Sequence, residues 1–122
     1  TVIDELCKKP LFFENLIKLA YKKDKPAYFY DCALIADLIG QICYKDILLN
    51  FCEVIKKGLS YKSKNFGKFC VIGIRLLKKY PQVKDKLNEL NVQDELIQNL
   101  DTEKTMKYAA QFLKKLKNNG GK

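Results

Sequence analysis

The stretch Leu76-Leu77-Lys78-Lys79-Tyr80-Pro81-Gln82-Val83-Lys84-Asp85-Lys86-Leu87-Asn88-Glu89-Leu90-Asn91-Val92 decides the fold class, together with Leu96-Ile97-x-x-Leu100 and the later run Met106-x-x-Ala109-Ala110-x-x-Leu113-x-x-Leu116. Its apolar residues recur at three- and four-residue steps, the period of a helix with one buried face, and strand-type alternation is absent. Pro81 marks a boundary. The spacing predicts short helices over 82–90 and 92–100, the second turning Leu96, Ile97 and Leu100 inward. A longer helix follows, capped by Asp101 or Thr102 and burying Met106, Ala109, Ala110, Leu113 and Leu116. Asn118-Asn119-Gly120-Gly121 ends it, so 118–122 reads as a flexible tail.

The same pattern extends toward the N-terminus. A helical piece over 2–9 ends at Pro10, which is placed to open a helix over 11–23 with Phe13, Leu16, Ile17 and Ala20 inward. After Asp24-Lys25-Pro26, a helix over 27–43 carries Cys32, Ile35, Leu38, Ile39 and Ile42. Residues 47–57 bury Leu48, Phe51, Cys52 and Ile55 and end at Gly58. A helix over 64–80 turns Cys70, Gly73, Ile74, Leu77 and Tyr80 inward.

These helices repeat. Cys32, Ile35, Ile39 and Ile42 align with Cys70, Gly73, Leu77 and Tyr80 at an offset of 38 residues, and these with Met106, Ala109, Leu113 and Leu116 at 36. A period of this length marks stacked helical units, each burying its apolar face against its neighbours. The units fall at about 10–43, 45–80 and 82–117 of a single domain spanning 1–122.

Residues 76–116 resemble an armadillo repeat, in which a short first helix leads to a second with paired aliphatics and a third with a small residue followed by spaced Leu. The unit over 82–117 fits this pattern; the unit over 45–80 is closer to the two-helix HEAT form. The resemblance implies an all-α, right-handed α-solenoid of about three armadillo/HEAT-like repeats. It further implies a scaffold or adaptor role, with the third helices lining a concave groove that takes extended peptides. The chain opens at Thr1 with the helical pattern already running, so it reads as a fragment of a larger repeat protein.

Catalytic chemistry has little material to work with. The chain contains no His, which removes the commonest general base and the Ser-His and Cys-His pairs. There is no Gly-rich phosphate loop, and the five cysteines, Cys7, Cys32, Cys43, Cys52 and Cys70, form no CxxC pair. They read as reduced, buried thiols. We therefore expect no enzyme activity, no metal and no cofactor. No apolar run reaches the roughly 20 residues of a membrane span, and no secretory pattern is visible, so a cytoplasmic or nuclear location is expected.

Charge points to binding. The net charge is +9, and it is uneven: residues 1–60 carry nine lysines against eight acids, residues 61–122 fourteen basic residues against six acids. Lys supplies all the basic residues but Arg75, a bias that an AT-rich genome also produces. Extending the repeat alignment outward matches Asp37 with Arg75 and Gln111, Gly40 with Lys78 and Lys114, and Gln41 with Lys79 and Lys115. Arg75, Lys78, Lys79, Gln111, Lys114 and Lys115 then form a solvent-facing ladder suited to an acidic or phosphorylated peptide or protein partner. A second constellation, Tyr61, Lys62, Lys64, Phe66 and Lys68, interleaves cations with aromatics, the composition of a surface that contacts phosphates and stacks bases. It makes nucleic-acid binding the alternative reading.

Overall fold

The computed structural model describes residues 9–39, 45–62, 64–100 and 103–117. The expected helix over 2–9, Cys7, Cys43, the ladder positions Gly40 and Gln41, the cap at 101–102 and the tail over 118–122 lie outside them. So do the side chains at 10, 38, 39, 45–47 and 104. Among the described residues there are seven α-helices and no strand: α1 (Pro10–Lys23), α2 (Pro26–Ile39), α3 (Lys45–Ser60), α4 (Phe66–Lys79), α5 (Val83–Glu89), α6 (Val92–Ile97) and α7 (Glu103–Lys117).

Local chemistry sets the boundaries. Pro10 and Pro26 open α1 and α2, where a missing N–H costs no helical bond. Asp24 closes α1 in the left-handed region (φ 50°) and donates its N–H to the Ala20 carbonyl. Asn91 (φ 62°) makes the corner between α5 and α6, a conformation Asn tolerates better than most residues.

Packing joins neighbours and next-but-one neighbours. α1 packs on α2 and α3, α2 on α3 and α4, and α4 on α7. The short helices α5 and α6 together occupy one place, against α3 on one side and α7 on the other. One series of contacts thus runs α1, α3, α5–α6; a second runs α2, α4, α7. The shared core contains Phe29, Val54, Ile55, Leu59, Phe66, Phe69, Leu87, Leu96, Phe112 and Leu116, all essentially removed from water. Each large side chain buried this way contributes about 1.5–3 kcal/mol.

Two helix junctions depend on glycine. The ring of Phe69, on α4, lies where a Cβ on Gly58 of α3 would stand, and the ring of Phe112, on α7, lies where a Cβ on Gly73 of α4 would stand. Gly58 was expected to end its helix. Instead α3 runs on to Ser60 and Leu59 is fully buried, because the glycine serves a close approach rather than a stop.

The burial register also differs from the sequence alignment. Phe29, Cys32, Ala33 and Ala36 are buried on α2 and Phe66, Phe69, Cys70 and Gly73 on α4, an offset of 37 rather than 38. Ile35 is only half-buried. On α7 the buried line is Ala109, Phe112 and Leu116; Met106 is 49% exposed and Ala110 is exposed too, because seating Phe112 on Gly73 fixes the rotation of the helix. Ile97, at the end of the six-residue α6, is 48% exposed while Val92, Leu96 and Asn99 turn inward. Asn99 is the one buried polar side chain among the described residues. Its side-chain amide donates to the Glu95 backbone carbonyl at 2.8 Å, and the Asn99 backbone carbonyl accepts from the Thr105 hydroxyl at 2.8 Å, tying α6 to α7.

Candidate binding groove on the second series of helices

Across α2, α4 and α7 runs an open groove of about 700 Å³. One wall is Tyr30, Leu34 and Asp37 of α2. The floor is Phe66, Gly67, Val71 and Ile72 of α4, and the other wall is Thr105 and Tyr108 of α7. Lys62, Lys64, Lys68 and Arg75 border it, against the single acid Asp37. The lining follows from helix periodicity: 30, 34 and 37, and again 68, 71, 72 and 75, each share one side of a helix. Gly67 brings the far wall in, since a Cβ there would meet Tyr108 Cδ2 at 2.9 Å.

The two sequence constellations partly converge here. Arg75 from the ladder joins Lys62, Lys64 and Lys68 around the groove, but it is not an unopposed cation. Its Nη1 donates to Asp37 Oδ2 at 2.6 Å, so the two residues aligned as equivalents in the sequence are an ion pair across adjacent helices. Lys68 Nζ sits 5.3 Å from the centre of the Tyr30 ring. Lys78, Lys79, Gln111, Lys114 and Lys115 are all exposed, as expected, and lie on α4 and α7 beyond the groove lining. Lys78 and Lys79 stand three and four residues after Arg75 and continue its side of α4.

The aromatic half of the second constellation is used internally. Phe66 is 1% exposed and so presents no face on which a base could stack. Tyr61 points away from the groove: its hydroxyl donates to Asp24 Oδ1, its ring packs against Phe29, and Lys57 Nζ lies 5.3 Å from its centre. The Tyr61 hydroxyl, with the Lys57 ammonium beside it, holds the Asp24 carboxyl below its ordinary value. Desolvation, reinforced by Asp24, pushes the Tyr61 hydroxyl up to about 12. Tyr61 therefore fastens the end of α3 to the α1–α2 turn.

The described thiols are buried and free. Burial pushes Cys32 up to about 11 and Cys52 and Cys70 up to about 12, leaving almost no thiolate at neutral pH. Among the described residues no group of three His, Cys, Asp or Glu converges as a metal site would require. None of the described helices is long and apolar enough to cross a membrane.

Charge is sorted by helix, which the division into halves concealed. α4 carries Lys68, Arg75, Lys78 and Lys79 with no acid, and α7 carries five lysines with Glu103 alone opposing. α2 has Asp31 and Asp37 and no cation, while α5 and α6 set Lys84 and Lys86 against Asp85, Glu89, Asp94 and Glu95. A compositional drift toward Lys would act on every solvent-facing helix. α1 also carries Lys18, Lys22 and Lys23 against Glu14, but the excess is largest on α4 and α7, two helices that pack together.

No family model matches the chain, and no curated protein or solved structure matches it either.

Proposed function

We propose that the chain is a binding module, an armadillo/HEAT-type α-solenoid segment of about three repeats, which takes an acidic peptide segment of a partner protein in the α2–α4–α7 groove. The solenoid reading is supported by packing between adjacent and next-but-one helices, with α5 and α6 sharing one place in the stack. The observation that carries the functional reading is the groove itself: an apolar floor bordered by Lys62, Lys64, Lys68 and Arg75, among helices of which α4 and α7 carry the largest excess of positive charge. Apolar anchors would supply affinity there. Cations would supply steering and register, each exposed ion pair contributing only about 0.2–1 kcal/mol.

The reading is tested by fluorescence anisotropy with a labelled peptide that alternates glutamate and leucine, compared with oligoglutamate and with random single-stranded DNA. The mixed peptide is expected to bind best, and Lys64→Glu with Lys68→Glu to weaken it at least roughly tenfold, about 1.4 kcal/mol. Replacing Lys78, Lys79, Lys114 and Lys115 by Ala should have a smaller effect, visible mainly at low salt. Equal binding by wild type and the double variant would sink the proposal. Tighter binding of the DNA, with a steep salt slope, would transfer the function to nucleic acid.

A further inference from the structure

Resting on that reading, we infer that the groove imposes a polarity on its ligand: the acidic end of the bound segment lies toward α7 and the α3–α4 loop, and its apolar end against α2. The two walls are chemically unlike. The α2 wall is Tyr30, Leu34 and Asp37, on a helix with two acids and no cation. The α7 wall, Thr105 and Tyr108, stands on a helix with five lysines, and the loop end adds Lys62 and Lys64 to the lining.

The α4 cations nearest α2 are already engaged from that side. Asp37, with a side chain only 16% exposed, takes Arg75 at 2.6 Å, and Lys68 lies over the Tyr30 ring. A ligand carboxylate placed against α2 would meet the charge of Asp37 and compete for an occupied guanidinium. The same carboxylate at the loop end of the groove meets Lys62 and Lys64, neither of which forms an ion pair among those observed. An apolar side chain has the opposite preference, because Tyr30 and Leu34 form the α2 wall beside the Val71–Ile72 floor. The fitting partner is thus a segment with an aliphatic or aromatic block at one end and an acidic block at the other, rather than a uniformly acidic tail.

The test uses a peptide with a glutamate block and a leucine–phenylalanine block, carrying a nitroxide at one end or the other. Amide line broadening is followed by NMR in the isotope-labelled protein. A nitroxide at the acidic end should broaden the signals of Thr105 and Tyr108 and spare those of Tyr30 and Leu34; at the apolar end the pattern should invert. In parallel, Asp37→Lys should strengthen binding of plain oligoglutamate by roughly two- to fivefold, by making the repulsive wall attractive. Binding with equal broadening of both walls overturns the polarity and leaves the proposed function standing. Failure of the block peptide to bind at all overturns both.

Discussion

The junctions of α4 with α3 and α7, and the pairing of α1 with α2, are made from similar amphipathic helices but close differently. At the first two, a phenylalanine ring sits directly on a helical glycine, Phe69 on Gly58 and Phe112 on Gly73, and both rings are fully buried. The α1–α2 pair closes through Ala20, Phe29, Cys32 and Ala33, with Cys32 Sγ donating to the Leu16 carbonyl at 3.4 Å. That pair leaves Leu11, Leu19, Tyr21 and Tyr28 substantially exposed. Burial in this fold is therefore governed by where the backbone is bare enough for a ring to reach it, more than by how apolar a helix is. α2 has the more apolar sequence, yet among the described side chains α4 has the more complete core.

The contrast can be broken most forcefully at the rings. Phe69→Ala and Phe112→Ala should each cost about 3–5 kcal/mol in denaturant unfolding, the range for deleting a buried aromatic. Losses under about 1 kcal/mol would show that the junctions are loose. Next in size are Gly58→Ala and Gly73→Ala. Alanine is normally the better helix former by about 1 kcal/mol, so a loose junction would be stabilised. Here both substitutions should destabilise by about 1–3 kcal/mol through overpacking, and the sign of the change decides the matter.

The Tyr61–Asp24 fastening should show a smaller effect, confined to the extremes of pH. Asp24 is lowered in the folded state, so its contribution is present above the ordinary carboxylate value of 3.8 and lost as pH falls through the folded value. Tyr61 is raised, so its contribution is complete below 10.0 and lost as pH rises through about 12. Ultraviolet titration should find a tyrosine ionising near 12 that is missing from Tyr61→Phe; no difference between the two titrations would remove the fastening. Smallest of all, Leu11→Ser and Leu19→Ser should stay within about 0.5 kcal/mol of wild type, because the leucines already face water.

Much of the fold was legible because it rests on periodicity. The start of α1, the chain order of the helices and the inward turn of Phe13, Ile17, Leu48, Phe51, Cys52, Ile55, Leu77 and Leu116 all follow from three- and four-residue spacing. Spacing alone leaves a helix free to rotate by part of a turn. Met106, Ala110 and Ile97 were placed inward on that ground and turned out exposed, while Phe69 and Phe112 were passed over. The missing signal was a pairing between distant positions, a glycine on one helix and a ring on the next, which no window along one helix reveals. Gly58 was legible as special but open to two meanings, a stop or a close approach.

At the candidate site, the cations were legible as exposed residues. Their grouping was not, since the groove draws Arg75 from one constellation and Lys62, Lys64 and Lys68 from the other. Phe66 and Tyr61 are open in the sequence to two readings, a stacking surface or a buried contact, because composition does not distinguish an aromatic that faces solvent from one that the core has claimed. The pairing of Asp37 with Arg75 was implicit in their alignment but required the side-chain geometry to be seen.

The seat of Phe112 on Gly73 has a practical consequence. Removing that ring leaves a flat, dry, benzene-shaped space between α4 and α7, which a small aromatic solute can enter where water has no hydrogen-bond partners. The Phe112→Ala protein would then be a receptor for a molecule that wild type excludes. Adding benzene should restore part of its stability in proportion to occupancy. Because α7 also forms one wall of the groove, the same solute would act as a chemical dial on the spacing of the groove walls, adjustable by concentration and reversible on dialysis.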